Sequence, residues 1–379
     1  MIYLDNGATT FPKPMNVIRT CNNSLQNIGA NPGRGGHSLA MKAAEAVYHS
    51  RANIASFFGL DDAARVVFTL NCTTALNTVI KGSVKPGDHI LISSYEHNAV
   101  LRPVDKLSKS GVSYSIAEVY EGDDERTLNS FRENIKPNTK LLVCTMASNV
   151  FGIKLPVERI CALSHQYGIL TCVDAAQSAG IIPISLYDSS IDYLCLAGHK
   201  GLYGPMGIGA VLINCDTLPD SLTEGGTGSN SAQYNQPEII PDKFESGTGN
   251  FSGITGFSAG VDFVRSKGIE RIYAHEIKLI QNLYERLSTD KRVKLYTEYP
   301  EIGSYVPVLS FNLDNYDSEA LAELLSTRYN IAVRAGLHCA PLAHKSKNTL
   351  DTGTVRAVPS AFTTQNDINR LVSAIKNIK

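Results

Sequence analysis

Between about residues 65 and 215 the chain alternates short apolar runs with stretches of helical spacing, and few architectures accept that pattern. RVVFTL (65–70) precedes TTALNTVIKG. HILIS (89–93) precedes a helical segment near 98–110. LLVCTM (141–146) precedes VERICALSHQYG, which stops at Gly168. ILTCVD (169–174), IDYLCLAG (191–198) and IGAVLIN (208–214) follow. Strands that alternate with helices pair in parallel, because the helix carries the chain back across the sheet. The class is therefore α/β, with a mostly parallel sheet flanked by helices. A short glycine-rich loop joins the last two runs, which allows an antiparallel strand there.

Beyond about 255 the character changes. A long helical stretch (roughly 256–289) leads into the strand-like YVPVLSFNL (305–313). Asp317 is placed to cap the helix SEALAELLSTRY, and Thr364 with Asp367 forms a capping box before a final amphipathic helix. IAVRAG and TVRAV read as short strands. The expected organisation is a large domain over 15–255 and a smaller α+β domain over 256–379, with segment 1–14 packing near the active site. The intervening LTEGGTGSNSAQYNQPEIIPDKFESGTGNFSG (222–253) is a long loop rich in Gly, Ser, Asn and Pro, and reads equally as a functional loop or as a solvated linker.

A formal net charge of −1, with no basic run, argues against nucleic acid or an acidic membrane surface as partner. MIYLDNGATTFPKP has neither a positive n-region nor an apolar h-region, so no leader is expected. The apolar runs are well short of the roughly 20 residues a membrane helix needs. The eight cysteines show no CxxC and no paired spacing, and Cys144, Cys172 and Cys195 sit inside apolar strands. A reducing, cytoplasmic setting is expected.

In α/β sheets ligands gather at the carboxyl ends of strands. There the sequence places Asn71-Cys72-Thr73-Thr74 opening a helix, Tyr95-Glu96-His97-Asn98, Ala147-Ser148-Asn149, Asp174 with Gln177, and Ala197-Gly198-His199-Lys200. Taken singly these residues are ordinary: a strand-end Asp is commonly a cap, and a Lys there is commonly solvated. Together they suit pyridoxal 5'-phosphate. That cofactor needs a Schiff-base lysine, a carboxylate at its pyridine nitrogen, and an anion site such as hydroxyls at a helix N-terminus.

These strings resemble the fold-type I, class V aminotransferase family, and within it the cysteine desulfurases. The likeness rests on VDAAQSAG with AGHKGLYGPMGIG, and on YLDNGATT, SYEHNAVLRP, ASNVFG, GGTGS, FESGTGN and RAGLHCA. The short RxGxHCA segment is more similar to the SufS-type group than to the NifS/IscS-type group. The resemblance implies a large domain with a seven-stranded-type sheet plus a small C-terminal domain. It also implies residue roles. Lys200 would form the Schiff base, Asp174 would pair with the pyridinium, Gln177 would contact the phenolic oxygen and His97 would stack on the ring. Thr73, Thr74 and His199 would hold the phosphate, and Thr248 would reach the phosphate of a neighbouring subunit, hence a homodimer. Asn149 would lie near the ring oxygen and the substrate, Arg356 would grip the substrate carboxylate, and Arg334 would lie by the loop carrying Cys339. Cys339 would take sulfur from L-cysteine as a persulfide, releasing L-alanine, for transfer to a sulfur-acceptor protein. His338, Arg334 or a substrate-bound proton acceptor would help deprotonate it.

The chain departs from the pattern at Ala197, often Ser or Thr, at the extra Gly201, in AVPSAFTT, and at Leu337, often His. Selenocysteine lyase and other class V activities stay open as alternatives, as does a sulfur-carrier module without chemistry. A dinucleotide site does not fit, because GPMGIG is not GxGxxG and precedes a strand. His338, Cys339 and His344 are too few for a metal site, and none is expected.

Overall fold

The computed structural model describes residues 1–32 and 35–378; position 379, the end of the expected second domain, lies outside them. Seven strands form the main sheet, in the order Val66–Thr69, Gly209–Ile213, Tyr193–Ala197, Leu170–Asp174, Thr139–Thr145, His89–Ser93 and Ser113–Ala117. The five from Tyr193–Ala197 onward are mutually parallel. Gly209–Ile213 runs antiparallel to both neighbours, as the short loop before it allows.

Continuous apolar runs rather than alternating ones follow from burial of both faces. Leu91, Leu142, Cys144, Val173 and Leu194 belong to one core, and Ile90, Ile92, Leu141, Val143, Cys172 and Cys195 to the other. Each fully buried Leu, Ile or Val contributes roughly 1.5–3 kcal/mol.

The second lobe is built on an antiparallel sheet ordered Val355–Ala357, Leu309–Leu313, Val293–Leu295. Helices Ile269–Ser288, Ser318–Tyr329 and Gln365–Asn377 share its core. Asp317 accepts from the Glu319 and Ala320 N–H groups, and Thr364 and Asp367 close the capping box. Such caps stabilise a helix by about 1 kcal/mol. The N-terminal strand Ile2–Tyr3 pairs in parallel with Ile331–Ala332, tying the first residues to this lobe.

Some expected elements differ. The stretch 256–289 is two helices, Phe251–Lys267 and Ile269–Ser288, because Gly268 adopts a φ of 84° that no α-helix accommodates. The strand expected over 305–313 is confined to Leu309–Leu313, since Pro307 has no N–H for a ladder. Helices Met15–Asn27 and Ser38–Phe57, packed on Phe251–Lys267, lie outside the expected alternation, as do strand Ser113–Ala117 and helix Asp124–Asn134. Among the described residues no helix is long and apolar enough to cross a membrane.

Candidate active site

The parallel strands end on one edge of the sheet, and their last residues meet in a cavity of about 90 Å³. Thr73, His97, Asn149, Asp174, Gln177, His199 and Lys200 all line it. Thr73 comes from the first turn of the Cys72–Gly82 helix, which Asn71 caps through the Thr74 N–H. His97 caps the Asn98–Ser108 helix. Asp174 ends its strand with only 4% exposure; its Oδ1 accepts from the Ala176 N–H at 2.9 Å and from the Cys72 thiol at 3.5 Å. Gln177 donates to the Gly7 carbonyl at 3.0 Å.

Burial sets the protonation states. It lowers the Lys200 pKa, opposed by the Asp174 charge. The Cys72 thiol is raised well above its ordinary value by burial and by Asp174, so it stays protonated. Burial takes His97 down to about 4, leaving a neutral imidazole. Because His97 Nδ1 accepts from the Ala99 N–H at 3.0 Å, its one proton lies on Nε2, which is therefore a donor. His199 is also held near 4 by burial, with Lys200 and Lys13 adding to the effect. Its buried Nδ1 has no hydrogen-bond partner among the described residues.

The His199–Lys200 backbone is clamped by the N-terminal segment. The His199 carbonyl accepts from the Thr10 N–H (3.1 Å), the Thr9 and Thr10 hydroxyls (3.1 and 3.2 Å) and Lys13 Nζ (2.8 Å). Thr10 Oγ1 also donates to the Lys200 carbonyl at 3.1 Å.

Cys339 sits beside this cavity on a loop, exposed, whereas Cys21 and Cys215 are half-buried and the other five cysteines are buried. His338 and Cys339 adopt φ values of 47° and 58°, a left-handed conformation rarely taken by two successive non-glycine residues. Two hydrogen bonds fasten the loop to the cavity. The Asn98 N–H donates to the Cys339 carbonyl at 2.7 Å, and Asn149 Nδ2 donates to the His338 carbonyl at 2.7 Å. The His338 ring is buried, and its Nε2–H donates to the Thr354 carbonyl at 2.9 Å. Burial and then the Arg356 charge lower its pKa to about 2, which makes it too weak a base to take the Cys339 proton.

Arg356 is 1% exposed. Its Nη1 donates to the Asn149 carbonyl at 2.7 Å and its Nη2 to Asp5 Oδ1 at 3.1 Å, while Nε has no partner. Burial brings its pKa to about 10 despite the Asp5 charge. Arg334 is half-buried and pairs with Arg356 through both backbone hydrogen bonds, at 3.2 and 2.7 Å.

Two expected cofactor residues lie elsewhere. Thr74 and Thr248 line a separate cavity of about 1080 Å³, and Thr248 is exposed. The long loop beside it is not a free linker: Glu245 forms a two-pronged pair with Arg51 and accepts from the Phe68 N–H at 2.6 Å, fastening the loop to the edge strand. Thr145 and Lys13 are parts of the site or its support that the sequence does not single out, and it places Cys72 there without a role. Thr145 reads as part of an apolar strand, and nothing near Lys13 signals its bond to His199.

The family model for class-V aminotransferases matches residues 2–371. A probable cysteine desulfurase from Methanothermobacter thermautotrophicus is 31% identical over 386 residues, spanning 100% of this chain and 94% of the relative. One from Mycolicibacterium paratuberculosis is 32% identical over 387 residues; the match spans 100% of this chain and 55% of that longer protein. The apo structure of cysteine desulfurase from Thermococcus onnurineus superposes with a TM-score of 0.91 at 30% identity, covering 100% of this chain and 94% of that one.

Proposed function

The chain belongs to the class-V aminotransferase family, and we propose that it is a cysteine desulfurase that moves sulfur from L-cysteine onto Cys339 and releases L-alanine. The observation that carries this reading is the fastening of the exposed Cys339 loop to Asn98 and Asn149, beside a cavity that holds Asp174 and Lys200.

The donor set fits the family's pyridoxal 5'-phosphate. A buried carboxylate and a lysine of lowered pKa share one cavity, with a helix N-terminus and an unpaired His199 Nδ1 at its wall. When bound, that cofactor supplies a protonated pyridine ring that draws electrons from the substrate Cα. Asp174 keeps a proton on the ring nitrogen. Lys200 holds the cofactor and, once released as a free amine, takes the Cα proton, for which its lowered pKa suits it. His97 would cover one face of the cofactor ring, and its Nε2–H, which lies in the imidazole plane, would be left for a proton partner beside the ring. Thr73, the first turn of its helix and His199 receive the phosphate, with Gln177 and Asn149 at the ring oxygen. Arg356, with Arg334 beside it, orients the substrate carboxylate. The Cys339 thiolate then attacks the substrate sulfur. An Sγ–S bond forms as the substrate carbon–sulfur bond breaks, leaving a persulfide and a carbon skeleton that departs as alanine.

The same reading carries a homodimer in which Thr248, at the large cavity, reaches the phosphate of the second copy, while Thr74 stays beside Thr73 on the first turn of its own helix. It also carries a sulfur-acceptor protein and a cytoplasmic setting. The free cysteines support the last: Cys172 Sγ and Cys195 Sγ lie 3.8 Å apart and unbonded. The test is protein loaded with pyridoxal 5'-phosphate and given L-cysteine. Equal yields of alanine and persulfide are expected, with persulfide lost in Cys339→Ala. A protein that stays colourless with the cofactor overturns the reading, as does persulfide formation in Cys339→Ala. L-selenocysteine consumed in preference to L-cysteine would replace the substrate assignment.

A further inference from the structure

A second, smaller cavity of about 20 Å³ lies against the first, and Gln177 and Lys200 line both. Its walls come from both lobes: Asn6 and Thr10 of the N-terminal segment, Tyr203 of the turn after Lys200, and Glu276 of the Ile269–Ser288 helix. Glu276 is 1% exposed and stands where that helix faces the core, between Ile272 and Ile280. Its Oε1 accepts from the Tyr203 hydroxyl at 3.2 Å, and that hydroxyl accepts from the Ala361 N–H at 2.8 Å. Its Oε2 is buried with no hydrogen-bond partner among the described residues. Burial raises the carboxyl to about 8, so it is an acid with a proton to give at neutral pH. Most of its lining is apolar, but Glu276 and Lys200 face it from two sides, and a cavity of this size has room for one water, which needs two to four polar partners.

We propose that this cavity binds one ordered water, with Glu276 as its donor, and that the water positions the free amine of Lys200. The water accepts one hydrogen bond from Glu276 Oε2–H and one from a Lys200 N–H. Both its lone pairs are then used, and the amine's lone pair is turned toward the substrate cavity. Glu276 is a positioning residue here, acting on Lys200 through the water. The water site stands on the cavity and the unpaired carboxyl alone; its effect on Lys200 rests on the desulfurase reading above.

The test compares wild type, E276Q and E276L, by crystal structures that resolve ordered water and by kcat and KM for L-cysteine. Glutamine keeps a donor and an acceptor; leucine keeps neither. The expected result is a water beside the carboxyl in wild type, retained in E276Q and lost in E276L. Turnover should stay within about threefold in E276Q and fall roughly tenfold in E276L with KM unchanged, the scale of one lost buried hydrogen bond. A dry cavity in wild type overturns the site. A kcat in E276Q that falls tenfold or more overturns the neutral-donor role, because a charged partner of Lys200 cannot be replaced by an amide. If E276L does not fold, wild type and E276Q still decide both points. A colourless wild type with the water in place sinks the desulfurase reading and leaves the site standing.

Discussion

The two walls of the active site are built on different principles. On one, Asp174, His199 and Lys200 extend from strands buried on both faces, and backbone meets backbone. A Cβ on Gly201 would lie 2.5 Å from the Ala179 carbonyl oxygen. On the other, the turn through Leu337 and Cys339 faces outward, rooted by the buried His338 ring and by Ala340. Leu337 and Cys339 are exposed, Gly336, His338 and Cys339 have positive φ, and hydrogen bonds to two carbonyls fasten the loop to the cavity. Electrostatic preorganisation needs the first construction, because groups that stabilise developing charge must not reorganise. A thiol that takes sulfur inside and hands it on outside needs the second. Strain held by few contacts marks such segments.

The sharpest way to break this comparison is to remove one reactive group from each wall. Lys200→Ala should cost on the order of 10³-fold or more in alanine formation and abolish the absorbance of the lysine-bound cofactor. Cys339→Ala should end persulfide formation yet leave that absorbance as in wild type. A spectrum changed by Cys339→Ala would mean that the walls are not separate. Gly201→Ala tests the rigid wall itself. The added methyl meets backbone at 2.5 Å and Ile181 Cγ1 at 2.9 Å, so the chain after Lys200 must shift. A loss of about 3 kcal/mol in denaturant unfolding, with weaker cofactor binding, is expected.

The rigid wall was largely legible in the sequence, and the reason is geometric. Strands buried on both faces write themselves as continuous apolar runs, and their carboxyl ends place Asp174, His199 and Lys200 on one edge, although their separate roles come only with the resemblance. Ser113–Ala117 escaped because it is an edge strand, half-exposed and part polar. Asp124–Asn134 escaped because its helix buries only Thr127, Leu128 and Phe131. The loop wall was legible only as a resemblance, since no periodicity encodes a left-handed pair such as His338–Cys339. Glu276 escaped although a signal existed: in IERIYAHEIKLIQNLYERL it occupies a place on the apolar stripe of Ile272, Ile280, Leu283 and Leu287. Glu96 was seen as part of SYEHN and left without a role. It is fully buried and accepts from Ser93 Oγ and from the Thr145 N–H at 2.8 Å, joining two strand ends beneath the cavity.

Both walls should loosen in acid, through His97 and His199 on one and His344 behind the other, and only the rigid wall through Glu96 on the alkaline side. Burial holds His344, behind the loop, near 4, below the ordinary value of about 6.5. Its folded form resists a proton that the unfolded chain accepts. Stability is therefore lost as pH falls from about 6.5 toward 4, by up to about 1.4 kcal/mol per pH unit. Burial raises Glu96, beneath the rigid wall, to about 8. Its folded form keeps a proton that the unfolded chain releases above about 4.3, so its contribution is full below that value and lost as pH rises through 8. Urea unfolding of the cofactor-free protein should show His344→Asn flattening the acid limb and Glu96→Gln flattening the limb from 5 to 8. Acid loss unchanged in His344→Asn would leave the acid limb to His97 and His199, and an alkaline limb unchanged in Glu96→Gln would remove the distinction.

The smallest effect belongs to Gly336→Ala, the counterpart of Gly201→Ala on the loop. Here the added Cβ would lie 3.4 Å from Glu319 Oε1, an ordinary contact with the free end of a flexible side chain. Only the backbone objects: φ is 93°, and a residue with a Cβ is held there at a cost of about 1 kcal/mol. That strain can relax over Gly336 and the exposed Leu337, while the buried His338 and Ala340 hold the far side of the turn. Stability should fall by about 1 kcal/mol or less and the cofactor spectrum should stay as in wild type, while persulfide formation in a single turnover slows severalfold as the Cys339 approach shifts. A spectrum altered by Gly336→Ala would show strain crossing through the His338 carbonyl and Asn149 into the cavity, and the two walls would have to be treated as one unit.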